Sequence, residues 1–160
     1  MKILLLSLVL SLLLAGQSEA QQILSELSGE WRTHYIAASN KEKITENGPF
    51  HIYFRYIEFD EGDGTVDAEF YLKKGSMYVS FLSHTDAGQN EVQILHVSKS
   101  SIIGHVKNVD EDGNETDVVG IINDKLSDSD FERFKEETKQ KGIPEENIVN
   151  FIDNDDCPEE

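Results

Sequence analysis

The chain has 160 residues, with 31 acidic against 14 basic side chains and a formal net charge of −17 at pH 7. Such acidity repels phosphate backbones and anionic bilayers, which argues against nucleic acid and membrane surfaces as partners. There is one cysteine, Cys157, near the C-terminus; with no second thiol inside the chain, packing rather than a disulfide framework must hold the domain.

The first twenty residues read apart from the rest. Lys2 precedes an almost purely apolar run, Ile3 to Ala15, broken by Ser7 and Ser11. Ser18-Glu19-Ala20 then sets small residues at the two positions a signal peptidase reads. Residues 1–20 are therefore expected to be a secretory signal, and 21–160 one mature extracellular domain beginning at Gln21. That length suffices to bury a core, and no later segment approaches membrane-span length.

From Trp31 to Ile122 the chain reads as seven short strands. They are Trp31–Ala38, Phe50–Phe59 after the Asn47-Gly48-Pro49 turn, Thr65–Leu72 after the Asp60–Gly64 hairpin signal, Met77–Leu82, Val92–Val97 after the polar turn His84–Asn90, Ile102–Val109, and Val118–Ile122. Regular strands with glycine and aspartate turns predict an antiparallel sandwich or barrel. The period then changes. Ser127 to Asp130 carries capping residues, and Phe131, Phe134, Lys135 and Thr138 recur at helical spacing up to Gly142. Acidic residues crowd the start of this segment and lysines its end, which suits the helix dipole. Residues 147–152 form one more short strand-like run.

A barrel opened by Gly29-Glu30-Trp31 and followed by one amphipathic helix resembles the lipocalin family. The entry segment Leu24 to Thr33, the Glu46-Asn47-Gly48-Pro49-Phe50 turn, the Asn108 to Gly113 turn, the run Lys141 to Asn150 and the Asp155-Asp156-Cys157-Pro158 tail are similar to the odorant- and pheromone-binding members. The likeness covers nearly the whole mature chain. It implies an all-β fold, an antiparallel up-and-down barrel with one C-terminal α-helix. Three departures stand out. The stretch from Tyr71 to Asn90 is about one strand shorter than the family's eight-stranded plan allows. Met77 stands near where relatives place the partner of Cys157, and the Thr-Asp-Tyr of other lipocalins is missing between Ile94 and Ile103.

The resemblance also implies a cavity wall. Phe50, Ile52 and Phe54 share one parity of the second strand, which the family turns inward. The same logic makes Ile36, Ala68, Phe70, Leu82, Val92, Val118 and Ile122 lining candidates, with Asn90 adding a hydrogen bond. The alternative is a solid core, the default for any β-domain. Trp31 is expected to plug the closed end with Lys125 stacked on its indole, a structural pair. Tyr53, Tyr56 and Tyr71 read either as gate residues or as surface tyrosines.

No catalytic residue, metal site or cofactor is expected. His34, His51, His84, His96 and His105 lack zinc spacing, no serine sits in a nucleophile elbow, and no glycine loop cradles phosphate. The acidic turns at 60–63 and 110–112 lack the EF-hand pattern. Asn114-Glu115-Thr116 is a glycosylation sequon at a turn. The expected function is a secreted carrier of a small hydrophobic molecule, an odorant or pheromone. The alternative is a secreted interaction or signalling protein with an open or collapsed barrel. The short link between Ile122 and Phe131 raises a third expectation, a homodimer that exchanges C-terminal segments.

Overall fold

The computed structural model describes residues 26–60, 65–74, 77–81, 88–123 and 125–156. The expected leader, Leu82, His84 and Cys157 lie outside the described residues. The strands are β1 (Gly29–Glu30), β2 (Arg32–Ala38), β3 (Ile52–Asp60), β4 (Thr65–Lys74), β5 (Met77–Phe81), β6 (Gln89–Val97), β7 (Ser101–Val109) and β8 (Glu115–Asn123). Helix α1 (Asp128–Gln140) and a short β9 (Ile148–Asn150) complete the chain order.

All pairings are antiparallel, in two sheets ordered β1-β3-β4-β5 and β6-β7-β8-β2-β9. The first strand run is broken at Trp31, so β1 joins β3 while β2 joins β8 and the two sheets share one edge. Among the described residues no ladder joins β5 to β6. These are the expected antiparallel sheets of a barrel with one C-terminal helix, and among the described residues the barrel is not closed between β5 and β6.

Local chemistry sets the corners. Asn47 takes the left-handed φ of 69° before Gly48, where an added Cβ would crowd the Lys43 carbonyl oxygen at 2.4 Å; only glycine fits there. In the β7–β8 turn the Asp110 carboxylate accepts the N–H groups of Asp112 and Asn114 at 3.1 and 2.9 Å. The Asn114 backbone, ahead of Lys43, holds that carboxyl below its ordinary value.

The helix starts where the capping residues predict. Ser127 is the N-cap, accepting from the Asp130 N–H at 3.2 Å, and Asp130 in turn accepts the Ser127 hydroxyl at 2.7 Å. Gly142, with φ of 72°, ends it while the Ile143 N–H reaches back to the Thr138 carbonyl at 3.1 Å. Phe131 and Phe134 pack on Tyr35, Ala37, Ile103, Val119 and Ile121, which is the outer face of the larger sheet. Phe134 is fully buried there, a contribution of about 2–3 kcal/mol.

Two boundaries differ from the sequence expectation. Phe50 precedes β3, its N–H donating to the Lys43 carbonyl at 2.9 Å. That bond ties it to the turn and takes it out of the strand's alternation. Asn90, expected in a turn, pairs with Asn108 inside the β6–β7 ladder, because polar side chains at a sheet's open end need no apolar partner.

Candidate functional site

Register decides which side chains face the interior. In β8 the odd positions Val119 and Ile121 meet the helix, so Val118, Gly120 and Ile122 point the other way. Directly opposite them in β7 stand Val106, Gly104 and Ile102, and beyond those in β6 stand Val92, Ile94 and Val97. In β2 the same face carries Ile36 and Ala38. On the smaller sheet, Ile52 pairs with Leu72, Phe54 with Phe70, and Ile57 with Ala68. An irregularity between Phe54 and Tyr56 shifts the alternation there, so Phe54 and Ile57, three apart, share the inner face.

The two inner faces meet at both ends. At one end Trp31 and Leu27 pack with Ile57, Ile102 and Ile122, with Phe54, Ala68 and Val97 against them. The Trp31 indole N–H donates to the Leu27 carbonyl at 2.7 Å. At the other end Ile36, Ala38, Ile44, Phe50 and Val118 form a cluster that Ile52 and Val106 join. Tyr53 and Tyr71 face away from Phe54 and Phe70; Tyr53 packs on Phe151 with centroids 5.2 Å apart. Tyr56 is exposed.

Beyond this second cluster lies a polar rim. The Asn108 side chain, fully buried, donates to Asn90 at 2.9 Å and accepts from the Lys43 ammonium at 2.8 Å. Lys43 also reaches Asp110 at 3.1 Å.

The structure therefore brings Ile36, Ile52, Phe54, Ala68, Phe70, Val118 and Ile122 onto one interior, with Phe50 at its end and Asn90 at its rim. Val92 faces inward by register yet is 67% exposed, and its neighbour Ile94 is 50% exposed. Lys125 is exposed, its carbonyl held by the Asn123 amide at 3.1 Å, and among the described contacts none joins it to Trp31. The described cations over rings are instead Arg55 on Tyr71 and Lys135 on Phe131.

Sequence reasoning missed the wall residues of β7, namely Ile102, Gly104, Val106 and Asn108. Apolar Ile102 and Ile103 stand side by side and hide which face is inward. The later alternation of Gly104 and Val106 with His105 and Lys107 was the available signal. A shallow groove between α1 and residues 143–148 lies outside the barrel. Its walls carry Glu132, Arg133, Lys135, Glu136, Lys139 and Glu145, which suit water better than an apolar molecule.

Two antiparallel sheets facing each other around an apolar interior, entered through Gly-x-Trp and backed by one outer helix, define a lipocalin. Residues 28–155 match the Lipocalin / cytosolic fatty-acid binding protein family, and the chain belongs to it. It is 40% identical over 156 residues to the odorant-binding protein of Bos taurus, a span of 90% of this chain and 98% of that protein. A triple mutant of bovine odorant-binding protein, described as deswapped, shares 40% identity at a TM-score of 0.74, covering 85% of this chain and all of that one. The bovine protein complexed with its natural ligand gives 39% identity and a TM-score of 0.59 over 85% and 96% of the two chains. Aphrodisin, described as a sex pheromone from female hamster, gives 31% and 0.75 over 83% and 99%.

Proposed function

We propose that this protein is a secreted carrier that holds one small hydrophobic molecule, of the odorant or pheromone class, between its two sheets. The observation that carries the reading is the exposure of Val92 and Ile94. They extend the apolar inner wall of β7, β8 and β2, yet both keep half or more of their surface. A solid core would cover them, whereas an apolar ligand covers them on binding. The bovine relative is described in complex with its natural ligand, and the first twenty residues read as a secretory signal.

Burying about 250 Å² of a ten-carbon ligand yields about 6 kcal/mol before association costs. Binding is then roughly micromolar, with weak selectivity among homologues, since one methylene changes the energy by about 1 kcal/mol. Displacement of an aminoanthracene-type probe by a panel of odorants tests this. One saturable site per chain supports the carrier; a folded protein that binds neither probe nor odorants overturns it. The second reading, an interaction or signalling protein, is favoured by the β6 edge that lacks a ladder partner among the described residues. Absence of probe binding would put that reading in its place.

A further inference from the structure

We infer that Gly104 and Gly120 form the floor of a ring-binding niche, and that the carrier prefers ligands with a flat cyclic group over open chains of equal size. The inference rests on the carrier reading and specifies its ligand. Gly104 and Gly120 are direct register partners, flanked by Ile94 on β6 and Ile36 on β2. The inner-facing row across four strands is thus Ile94, Gly104, Gly120, Ile36, with its two central positions empty of side chain. Neither glycine has a φ in the left-handed region, so the backbone does not require them. Glycine inside a strand weakens it and marks a close approach.

The rows on either side are filled. Val92, Val106 and Val118 stand one row toward the polar rim, and Val97, Ile102 and Ile122 one row toward Trp31. Strand spacing of about 4.8 Å and a two-residue repeat of about 6.8 Å leave a bare patch of backbone with the footprint of roughly one six-membered ring.

The opposite sheet carries an aromatic pair on its inner face. Ile52 of the opposite sheet and Val106 both pack against the cluster at the polar end, while Ile57 clusters with Ile102 and Ile122 and Ala68 packs against them. Between Ile52 and Ile57 along the strand the inner-facing pair is Phe54 and Phe70, with centroids 5.7 Å apart and rings tilted by 56°, and Phe54 also packs against the cluster around Trp31. These rings do not fill the niche. Among the described residues, a Cβ built on Gly120 meets nothing nearer than Ile36 Cγ1 at 3.9 Å, and one on Gly104 nothing nearer than the Gln93 carbonyl oxygen at 3.9 Å. A planar group lying on the glycine backbone gains van der Waals contact over its whole face, with Phe54 and Phe70 offering aromatic contacts above. A flexible chain gains less from a flat floor and gives up more rotamer freedom to lie on it.

The test titrates naphthalene against decanal, both of ten carbons, as competitors of the fluorescent probe. The proteins are wild type, Gly104→Ala, Gly120→Ala and Gly120→Val, each checked by circular dichroism and thermal melting. The alanine variants place a methyl at ordinary contact distance, so they are expected to fold with unchanged or higher melting temperature. Wild type is expected to bind naphthalene more tightly. Gly120→Val is expected to weaken naphthalene about tenfold and decanal less than about threefold, with the alanine variants between. If wild type binds both but every variant leaves both unchanged, or weakens them in parallel, the niche is overturned and the carrier stands. If wild type binds no probe, the carrier falls and the niche with it.

Discussion

Arg55 and Asp155, one hundred residues apart in sequence, form a two-point ion pair: the guanidinium donates to the two carboxylate oxygens at 2.8 and 2.5 Å. Both side chains are largely covered, at 12% and 8% exposure. Arg55 also donates to the Phe54 carbonyl at 3.0 Å and lies 5.6 Å from the Tyr71 ring centroid. The pair pins the segment after β9 to the strand that carries Phe54. Geometry of this kind is worth most when both members are present, because a lone buried charge keeps its desolvation penalty.

Asp155→Ala is therefore expected to lower unfolding free energy by about 3 kcal/mol, since the covered guanidinium then loses its two-point carboxylate partner. The double variant Arg55→Met with Asp155→Leu is expected to lose less than that single change. Urea melts of the four proteins of the cycle decide it. A double variant that loses the sum of the two singles would show that the pair contributes no coupling.

Stability is expected to fall with acid in two stages. His34 is buried, and among the described residues its Nε2 has no hydrogen-bond partner. Burial holds its imidazole below the ordinary 6.5, against the opposing pull of the Asn123 backbone and Asp153. The unfolded chain then binds the proton first, so stability drops as pH falls below about 6.5 and levels off below the folded value. The Ser127 hydroxyl, followed by Ser101, holds Asp130 below its ordinary 3.8. Its contribution is present above that value and is lost as pH falls through the folded one. His34→Gln is expected to flatten the first stage and leave the second, whereas Ser127→Ala moves the second. Urea midpoints from pH 7.5 to 3 check both, and a His34→Gln curve parallel to wild type throughout would refute the assignment.

What was legible in the sequence was whatever depends on neighbours along the chain. The helix from Asp128 is announced by Ser127, its acidic start and Gly142, all local signals that act through caps and dipole. The Gly-x-Trp entry and the turns at 47–49 and 110–113 were legible for the same reason. Inward parity was not, wherever a register irregularity intervened. The shift between Phe54 and Tyr56 turns Ile57 inward, and alternation counted from Phe50 cannot anticipate it. Gly104 and Gly120 are silent in sequence because a glycine reads as a turn or a weak strand, and their meaning appears only once β7 and β8 are set side by side.

The C-terminal segment, α1 onward, packs mainly on the outer face of the larger sheet. The link before it runs only from Asn123, the end of β8, to the Ser127 cap. Exchange of this segment between two chains would keep the Phe134 and Arg55–Asp155 contacts while relieving the short hinge. A homodimer is therefore expected at high protein concentration, and Cys157, the only cysteine, adds a disulfide only between chains. Light scattering with and without reductant, on wild type, Cys157→Ser and a variant with two glycines inserted after Asn123, separates the cases. Monomer throughout for wild type removes the expectation. Dimer lost only in Cys157→Ser assigns it to the thiol instead of the exchange.

Val92 and Ile94 allow binding to be separated from folding. A buried lining residue such as Phe70 serves both, so its truncation costs stability and affinity together. Val92 and Ile94 are already 67% and 50% exposed, so the fold gains little from their apolar surface. The ligand is expected to gain most of it, since they stand on the row that continues Gly104 and Gly120 and on the next row outward. Ile94→Thr keeps the β-branch that a strand favours, deletes the terminal methyl and replaces a methylene by a hydroxyl, so about two carbons of apolar contact are lost, worth about 1.5 kcal/mol or roughly a tenfold loss of affinity. The double variant Val92→Thr with Ile94→Thr is expected to bind the fluorescent probe about tenfold or more weakly, while its melting temperature stays within about 2 °C of wild type. Phe70→Ala, by contrast, is expected to lower stability by about 3 kcal/mol along with affinity. Calorimetric titration paired with thermal melts provides both numbers on one sample. Should the threonine variant melt well below wild type while binding the probe unchanged, Val92 and Ile94 belong to the fold and the ligand sits elsewhere.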